Sequence, residues 1–457
     1  MKTLSKSVFA FMLFMVIGIL VSSCGGGDDD SPDPIADVVP PNGEDEGNDN
    51  NGDDTHEDGN GQKSNGEGDD DVPNESTNDS AWPNRGPVAT RFAGGDGSKS
   101  NPYLISTAEE LRKLADDVEK GKTYRDEYFK LTADIKINNS VISNTGDLIG
   151  NISKMEQWKP IGKDNTPFCG TFDGNNHTIS GIYICQENSD SLGVFGLIAA
   201  KICNLSVKDS YIKGRSYIGG IIGLTKNYQN TYLAKIDNCR NYGTVISEQT
   251  DDSHQYVGGI VGYTVAMPSD SFYKCVNYGK VKGHSNVGGV AGWSKDDPFD
   301  CVNLGTVEGV VNTGGICGGI STYSRIYNSC NIGTVNGTEN TGGIVGTIPD
   351  RHLGIVRLSN VVNYGDIESN ASSTGAIIGY TNAIVECLYY LETSYSNWYG
   401  TTGKNHEPRG TIKNMTEKQM KSQTLLNELN NNAATLGSSY SRWIFGNDDY
   451  PVLDWLN

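Results

Sequence analysis

Histidine is scarce in this chain: six among 457 residues, at His56, His177, His254, His284, His352 and His406. A zinc-protease helix needs His-Glu-x-x-His, two imidazoles one turn apart with a glutamate base beside the first. His56-Glu57 and His406-Glu407 begin that pattern, but Asn60 and Gly410 stand where the second histidine belongs. A Gly-x-Ser-x-Gly elbow is missing too, and Gly121-Lys122-Thr123 lacks the upstream glycine of a phosphate loop. Long apolar runs are absent apart from Val8 to Val21, so no other segment is apolar enough to cross a membrane. Positive charge is short, with 36 Lys and Arg against 56 Asp and Glu, a net −20. No nucleic-acid partner is expected of such a balance. Sustained 3.6-residue apolar periodicity is also lacking, which excludes a mainly helical fold.

What the chain does have is repetition. A Gly-Gly-apolar-apolar-Gly signature starts at Gly219, Gly258, Gly288, Gly314 and Gly342, with a degenerate copy from Gly375 to Gly379. An Asn-apolar-Gly-x-apolar signature starts at Asn241, Asn277, Asn303, Asn331 and Asn363. Spacings of about 26 to 39 residues mean stacked units, not one globular core. Each unit is rich in Val, Ile, Tyr and Thr between glycines and asparagines, so it is strand and turn. A unit this short cannot bury its apolar face alone and must lay its strands on the next. The expected fold is all-β, a right-handed parallel β-helix with small helical caps at both ends.

Aligning the units on the second signature places Leu205, Cys239, Cys275, Cys301, Ser329 and Val361 in one column, with Cys387 continuing it. A column that accepts Leu, Cys, Val and Ser is small, mostly apolar and inward. Ten cysteines would ordinarily suggest disulfides if the chain is exported. Parallel in-register side chains give poor disulfide geometry, however, and buried free thiols are the favoured reading. The repeated asparagine is expected at a coil corner, left-handed and bonded to its neighbours above and below. The residue after it is Tyr242, Tyr278, Leu304, Ile332 or Tyr364. That interchange asks for apolar bulk, with a sugar-stacking platform as the alternative.

Capping boxes mark two helices. Thr107 with Glu110 opens one whose buried face is Ala108, Leu111, Leu114, Ala115 and Val118, stopped by Gly121. Thr416 with Gln419 opens the other, with Met420, Leu425, Leu426 and Leu429 buried, followed by an aromatic tail from Trp443 to Trp455 read as a plug. The expected layout is residues 1–23 signal peptide, 24–86 linker, 87–135 N-terminal cap, 136–400 β-helix and 401–457 C-terminal cap.

Lys2 and Lys6 precede the apolar run, and Val21-Ser22-Ser23-Cys24 follows it. This resembles a bacterial lipobox, which implies lipidation of Cys24 and anchoring through acyl chains. Asp28, Asp29 and Asp30 behind it resemble the surface-export signal of Bacteroidetes lipoproteins, implying an outer-membrane location facing the exterior. Residues 25–80 hold nineteen carboxylates against Lys63 alone, so the acidity belongs to this stretch. It has too little to bury and reads as an extended spacer.

The Gly-Gly-Ile-Val-Gly units and Leu192-Gly193-Val194-Phe195-Gly196 resemble the GLUG repeats of bacterial surface proteins. The stretch Asp96-Gly97-Ser98-Lys99-Ser100-Asn101-Pro102-Tyr103-Leu104-Ile105 and the closing Tyr450-Pro451-Val452-Leu453 are similar to Bacteroides surface lipoproteins of this type. The resemblance covers about residues 92 to 455. It implies right-handed parallel β-helices often labelled adhesins, some labelled IgA1-protease-like.

Two function classes follow. One is a non-catalytic adhesion module for a host glycoprotein, glycan or matrix, monomeric, with no cofactor, no metal and no catalytic residue. The other is a polysaccharide lyase or glycoside hydrolase, whose carboxylate candidates are Asp251-Asp252 and Asp296-Asp297. The first is favoured because the repeats carry packing chemistry and no acid–base set recurs. Insertions at Lys226 to Tyr232, Gln249 to Gln255 and Thr264 to Ser271 would emerge as loops. Tyr228, Gln229, Asn230, Tyr232 and Gln255 are the candidate contacts there, against the plainer reading of passive loops.

Overall fold

The computed structural model describes residues 82–456 except 229–233, 251–254, 266–271, 322–323, 350–355, 370, 382–383, 403–406 and 409. Short strands from Tyr103 to Met415 assemble five parallel sheets of eleven, ten, eight, seven and six strands. One coil shows the plan. Val257–Gly258, Val261–Thr264, Phe272–Tyr273, Val276–Asn277 and Val281–Lys282 each join a different sheet before Ser285–Gly288 begins the next coil. Val261 lies opposite Ile222 below and Ala291 above, and Asn277 lies between Asn241 and Asn303. This is the expected parallel β-helix.

The two signatures turn out to be one device. Asn241, Asn277, Asn303, Asn331 and Asn363 are fully buried. Each Nδ2 donates to the Oδ1 of the next at 2.8–2.9 Å, from Asn241 through to Asn363. Each Nδ2 also donates to the carbonyl two residues on, as Asn303 does to Gly305 at 3.0 Å. The space for these amides comes from the second glycine of the other signature. A Cβ on Gly289 would sit 2.2 Å from the Gly315 carbonyl oxygen and 2.5 Å from Asn303 Oδ1. Glycine and asparagine recur together because each coil is thin there, and one fills what the other leaves open.

The expected left-handed asparagine is three residues away from the laddered one. Asn241 and its equivalents are extended strand residues, which lets their amides point inward. The left-handed corner is held by Asn204, Asn238, Lys274, Asp300, Asn328 and Asn360, with φ from 47° to 56°. Cys387 shares that corner at φ 52°. Val361 therefore pairs with Leu388, so Leu388 continues the inward column and Cys387 does not.

Cys239, Cys275 and Cys301 are fully buried, and all nine cysteines of the described residues are free. Their thiols point to the carbonyl two residues back, Cys275 to Tyr273 at 3.4 Å. Ser329, in the same column, makes that bond to Tyr327 at 2.7 Å. Burial pushes the Cys275 thiol well above its ordinary range, with the neighbouring thiols adding to it.

Helix α1 (Ala108–Glu119) has its capping box and buries Leu111, Leu114, Ala115 and Val118. It packs on the core with Ile105, Phe129 and Leu131, closing the N-terminal end. Arg112 fixes it with two bonds to the buried Glu156, at 2.6 and 2.5 Å. The strands Tyr103–Ile105 and Tyr128–Leu131 beside it already belong to the eleven-stranded sheet. At the other end Ile412–Met415 still pairs with Leu388–Leu391, so the sheets run past both expected boundaries, 136 and 400.

Helices α2 (Glu417–Met420) and α3 (Gln423–Leu436) follow, then an antiparallel pair, Trp443–Phe445 with Pro451–Leu453. The expected plug runs instead back along the side of the coils. Leu425, Leu429, Trp443 and Leu453 cover the outer column Val276, Val302, Cys330 and Val362. Polar ties accompany them. Asn360 donates to the Leu429 carbonyl at 3.0 Å, Asn328 to the Ser441 carbonyl at 2.9 Å, and Ser441 to Asp300 at 2.6 Å. The reason is the outer column itself, apolar for four coils and requiring cover.

Candidate functional site

Of the residues singled out in the sequence, Cys24, Asp28, Asp29, Asp30, Gln229, Asn230 and Tyr232 lie outside the described residues. Tyr228 is partly exposed, with the Arg125 guanidinium 5.6 Å from its ring centre. Gln255 is not an adaptable contact. It is fully buried, donating to the Gln249 carbonyl at 3.0 Å and accepting from the His284 backbone N–H at 3.2 Å. Its carbonyl oxygen also accepts from Asn286 at 2.9 Å, so it is a structural tie between coils.

The carboxylate candidates are turn residues where they can be seen. Asp297 accepts the Arg325 backbone N–H at 2.8 Å, and Asp296 is mostly buried with its backbone N–H bonded to Ser294 Oγ at 3.2 Å. Asp251 and Asp252 lie outside the described residues. Among the described residues, no group of three or more His, Cys, Asp or Glu could hold a metal ion.

What the coils do bring together is a cluster of four partly exposed rings, Tyr217, Tyr256, Tyr263 and Trp293. Tyr217 and Tyr256 stack at 5.1 Å, and Tyr263 stands edge-on to Tyr256 at 4.9 Å. Trp293 is edge-on to Tyr256 at 6.2 Å, and Lys295 Nζ lies 5.6 Å from the Tyr263 ring centre. The third glycine of the signature makes this possible. A Cβ on Gly292 would lie 2.4 Å from Val257 N and 2.7 Å from the Tyr256 carbonyl carbon. Without side chains there, the corner bearing Tyr256 closes onto the strand bearing Trp293, and two ring columns share one surface. Burial holds the phenols of Tyr217 and Tyr256 above their ordinary range, so both keep their protons further into alkaline pH than an exposed tyrosine does.

The cluster also has a place relative to the insertions. Tyr256 directly follows Gln249 to Gln255, and Tyr263 directly precedes Thr264 to Ser271. Sequence reading missed it because its rings come from two columns that change identity from coil to coil. The column it did single out behaves as apolar packing. Tyr242 and Tyr278 stack at 4.4 Å, while Tyr278, Leu304 and Ile332 lie against the C-terminal segment. Tyr364 is buried there and donates its hydroxyl to the Pro451 carbonyl at 2.9 Å.

No protein-family model matches the chain. "Halomucin" of Haloquadratum walsbyi is 27% identical over 184 residues, which are 39% of this chain and 2% of that protein. "Putative Gly-rich membrane protein" of Evansella cellulosilytica is 32% identical over 123 residues, 26% of this chain and 12% of that protein. The chain thus spans a small fraction of the length of the curated relatives it matches. Among solved structures, the "crystal structure of a putative immunoglobulin A1 protease from Bacteroides ovatus" is similar at 20% identity. The TM-score is 0.49, over 80% of this chain and 95% of that one.

Proposed function

We propose that the chain is a surface-displayed, non-catalytic binding module that adheres to a host glycoprotein, glycan or matrix. A lipid on Cys24 anchors it to the outer membrane, and the acidic stretch behind Cys24 spaces it from the bilayer. The observation that carries this reading is the ring cluster of Tyr217, Tyr256, Tyr263 and Trp293, bordered in sequence by inserted loops. Aromatic faces offer large contact area at low conformational cost, and they stack on sugar rings or apolar side chains alike. The rest of each coil is given to packing.

The test is a glycan and host-protein binding array with the full chain, beside the double variant Tyr256→Ser, Trp293→Ala. Binding by the wild type that the variant loses, with cooperative melting retained, supports the proposal. Equal binding by both would move the site elsewhere, and depolymerisation of a glycan by the wild type would replace adhesion with a lyase or hydrolase. Anchoring is tested separately: Cys24→Ala should release the protein from membranes, and protease should shave the wild-type domain from intact cells.

A further inference from the structure

We propose a second binding site, at the N-terminal end of the coils, for the anionic group of an acidic saccharide, carboxylate or sulfate. The site is a cleft of about 640 Å³ between α1 and the hairpin that precedes it, within the range of about 300 to 1,000 Å³ usual for small-ligand sites. It is separate from the ring cluster described above and does not depend on the adhesion reading.

The hairpin supplies the floor. The Ala93 N–H donates to the Leu104 carbonyl at 3.0 Å, and the Leu104 N–H donates to the Gly94 carbonyl at 2.9 Å. Folded back in this way, the half-buried rings of Phe92 and Tyr103 meet at 5.0 Å. Helix α1 and the turn after it supply the charge. Lys113 Nζ stands 5.3 Å from the Phe92 ring centre, and Lys122 Nζ stands 3.9 Å from that of Tyr124 and 5.7 Å from that of Tyr103. Cation–π attraction thus holds two ammonium groups over the aromatic floor. Arg91 and Lys120 complete the lining.

Charge decides what the cleft would accept. Four cations line it against one carboxylate, Asp117. Asp117 is already occupied, paired with Lys113 at 2.9 Å and accepting the Tyr124 hydroxyl. Lys122 has a long contact to Glu127 at 3.5 Å, while Arg91 and Lys120 have no ion pair or side-chain hydrogen bond among the described residues. This concentration stands out because residues 81–457 carry a net charge of −4: the chain's −20, less −18 for residues 25–80 and +2 for residues 1–24. An anion entering the cleft meets Lys113 and Lys122 already held over the rings, while the exposed Arg91 and Lys120 are ordered on binding. The Phe92 and Tyr103 rings favour a saccharide over a free inorganic anion, since they offer apolar surface to a pyranose ring.

The test is calorimetric titration of the full chain with a hyaluronan tetrasaccharide (carboxylate), a heparin tetrasaccharide (sulfate), cellotetraose (neutral) and tetraglutamate. Saturable binding of either acidic sugar, with none of cellotetraose, is the expected result, and the two acidic arms tell carboxylate from sulfate. The double variant Arg91→Ala, Lys120→Ala should weaken it about tenfold or more with an unchanged melting curve, while Lys418→Ala should leave it unchanged. Tyr103→Leu should also weaken binding without altering its salt dependence. Equal affinity for cellotetraose or tetraglutamate, an unaffected double variant, or no saturable binding of either acidic sugar would overturn the proposal. Tyr256→Ser, Trp293→Ala should leave this binding intact, which keeps its outcome distinct from the adhesion test.

Discussion

Inside the coils, the asparagine column repeats the same residue five times, from Asn241 to Asn363. Outside, the column through Leu224, Tyr263, Trp293, Gly319, Thr347 and Tyr380 changes at every step. Both columns stack in register with the same strand spacing, so geometry does not separate them. What separates them is the consequence of a substitution. An inner amide bonds to the coils on both sides and to its own turn, so a replacement strands several buried partners at once. An outer ring loses contact area and little else. Repetition therefore marks where the fold is held, and variation marks where the surface is free to change.

Four substitutions sharpen this contrast, in falling order of effect. Gly289→Ala places a Cβ against both the Gly315 carbonyl and the Asn303 amide. It should cost about 3 kcal/mol or more, enough to disrupt cooperative unfolding in calorimetry. Asn303→Ala removes the acceptor of Asn277 and the donor to Asn331, and should cost about 2 to 3 kcal/mol by denaturant titration. Cys275→Ser should cost about 1 kcal/mol, because its hydroxyl can take the carbonyl bond that Ser329 already makes two column places away. Mass spectrometry of the native protein should find Cys239, Cys275 and Cys301 as thiols. Trp293→Ala should cost less than about 1 kcal/mol and yet lower adhesion. If it proved as destabilising as Asn303→Ala, the division between inner and outer columns would fail.

A fifth expectation concerns pH. Burial holds the Asp300 carboxyl above its ordinary range, more than the bonds from Ser441 and Asn328 draw it down. The folded chain therefore binds this proton more tightly than the unfolded chain does. Its contribution to stability is full below the ordinary carboxylate range and is lost as pH rises through the raised value. Asp300→Asn should remove that slope. The check is the difference in unfolding free energy between variant and wild type from pH 4 to 7. A difference that does not change with pH would refute the assignment.

The repeating columns were legible in the sequence because each coil imposes the same steric demand. Both capping boxes were legible for the same local reason, a side chain answering a backbone donor three residues away. One-residue distinctions were less so. Cys387 looked like the next member of the cysteine column, and only the strand pairing puts Leu388 there. Gln255 looked like an exposed polar loop residue, because sequence cannot show that Asn286 and His284 of the next coil need its oxygens. The ring cluster and the basic cleft were out of reach. Each gathers residues from segments that share no pattern and meet only after glycine corners or a hairpin have closed.

The C-terminal segment sets an order of events during synthesis. Coils can form as the chain emerges, each templating the next. The stripe of Val276, Val302, Cys330 and Val362 then waits uncovered, because its cover is made later. Ser441 must return across 141 residues to reach Asp300. Folding therefore advances in one direction and finishes by turning back, with a slow, non-local docking step at the close. Until that step, a part-made chain shows an uncovered apolar edge to its neighbours, and association between such chains competes with docking.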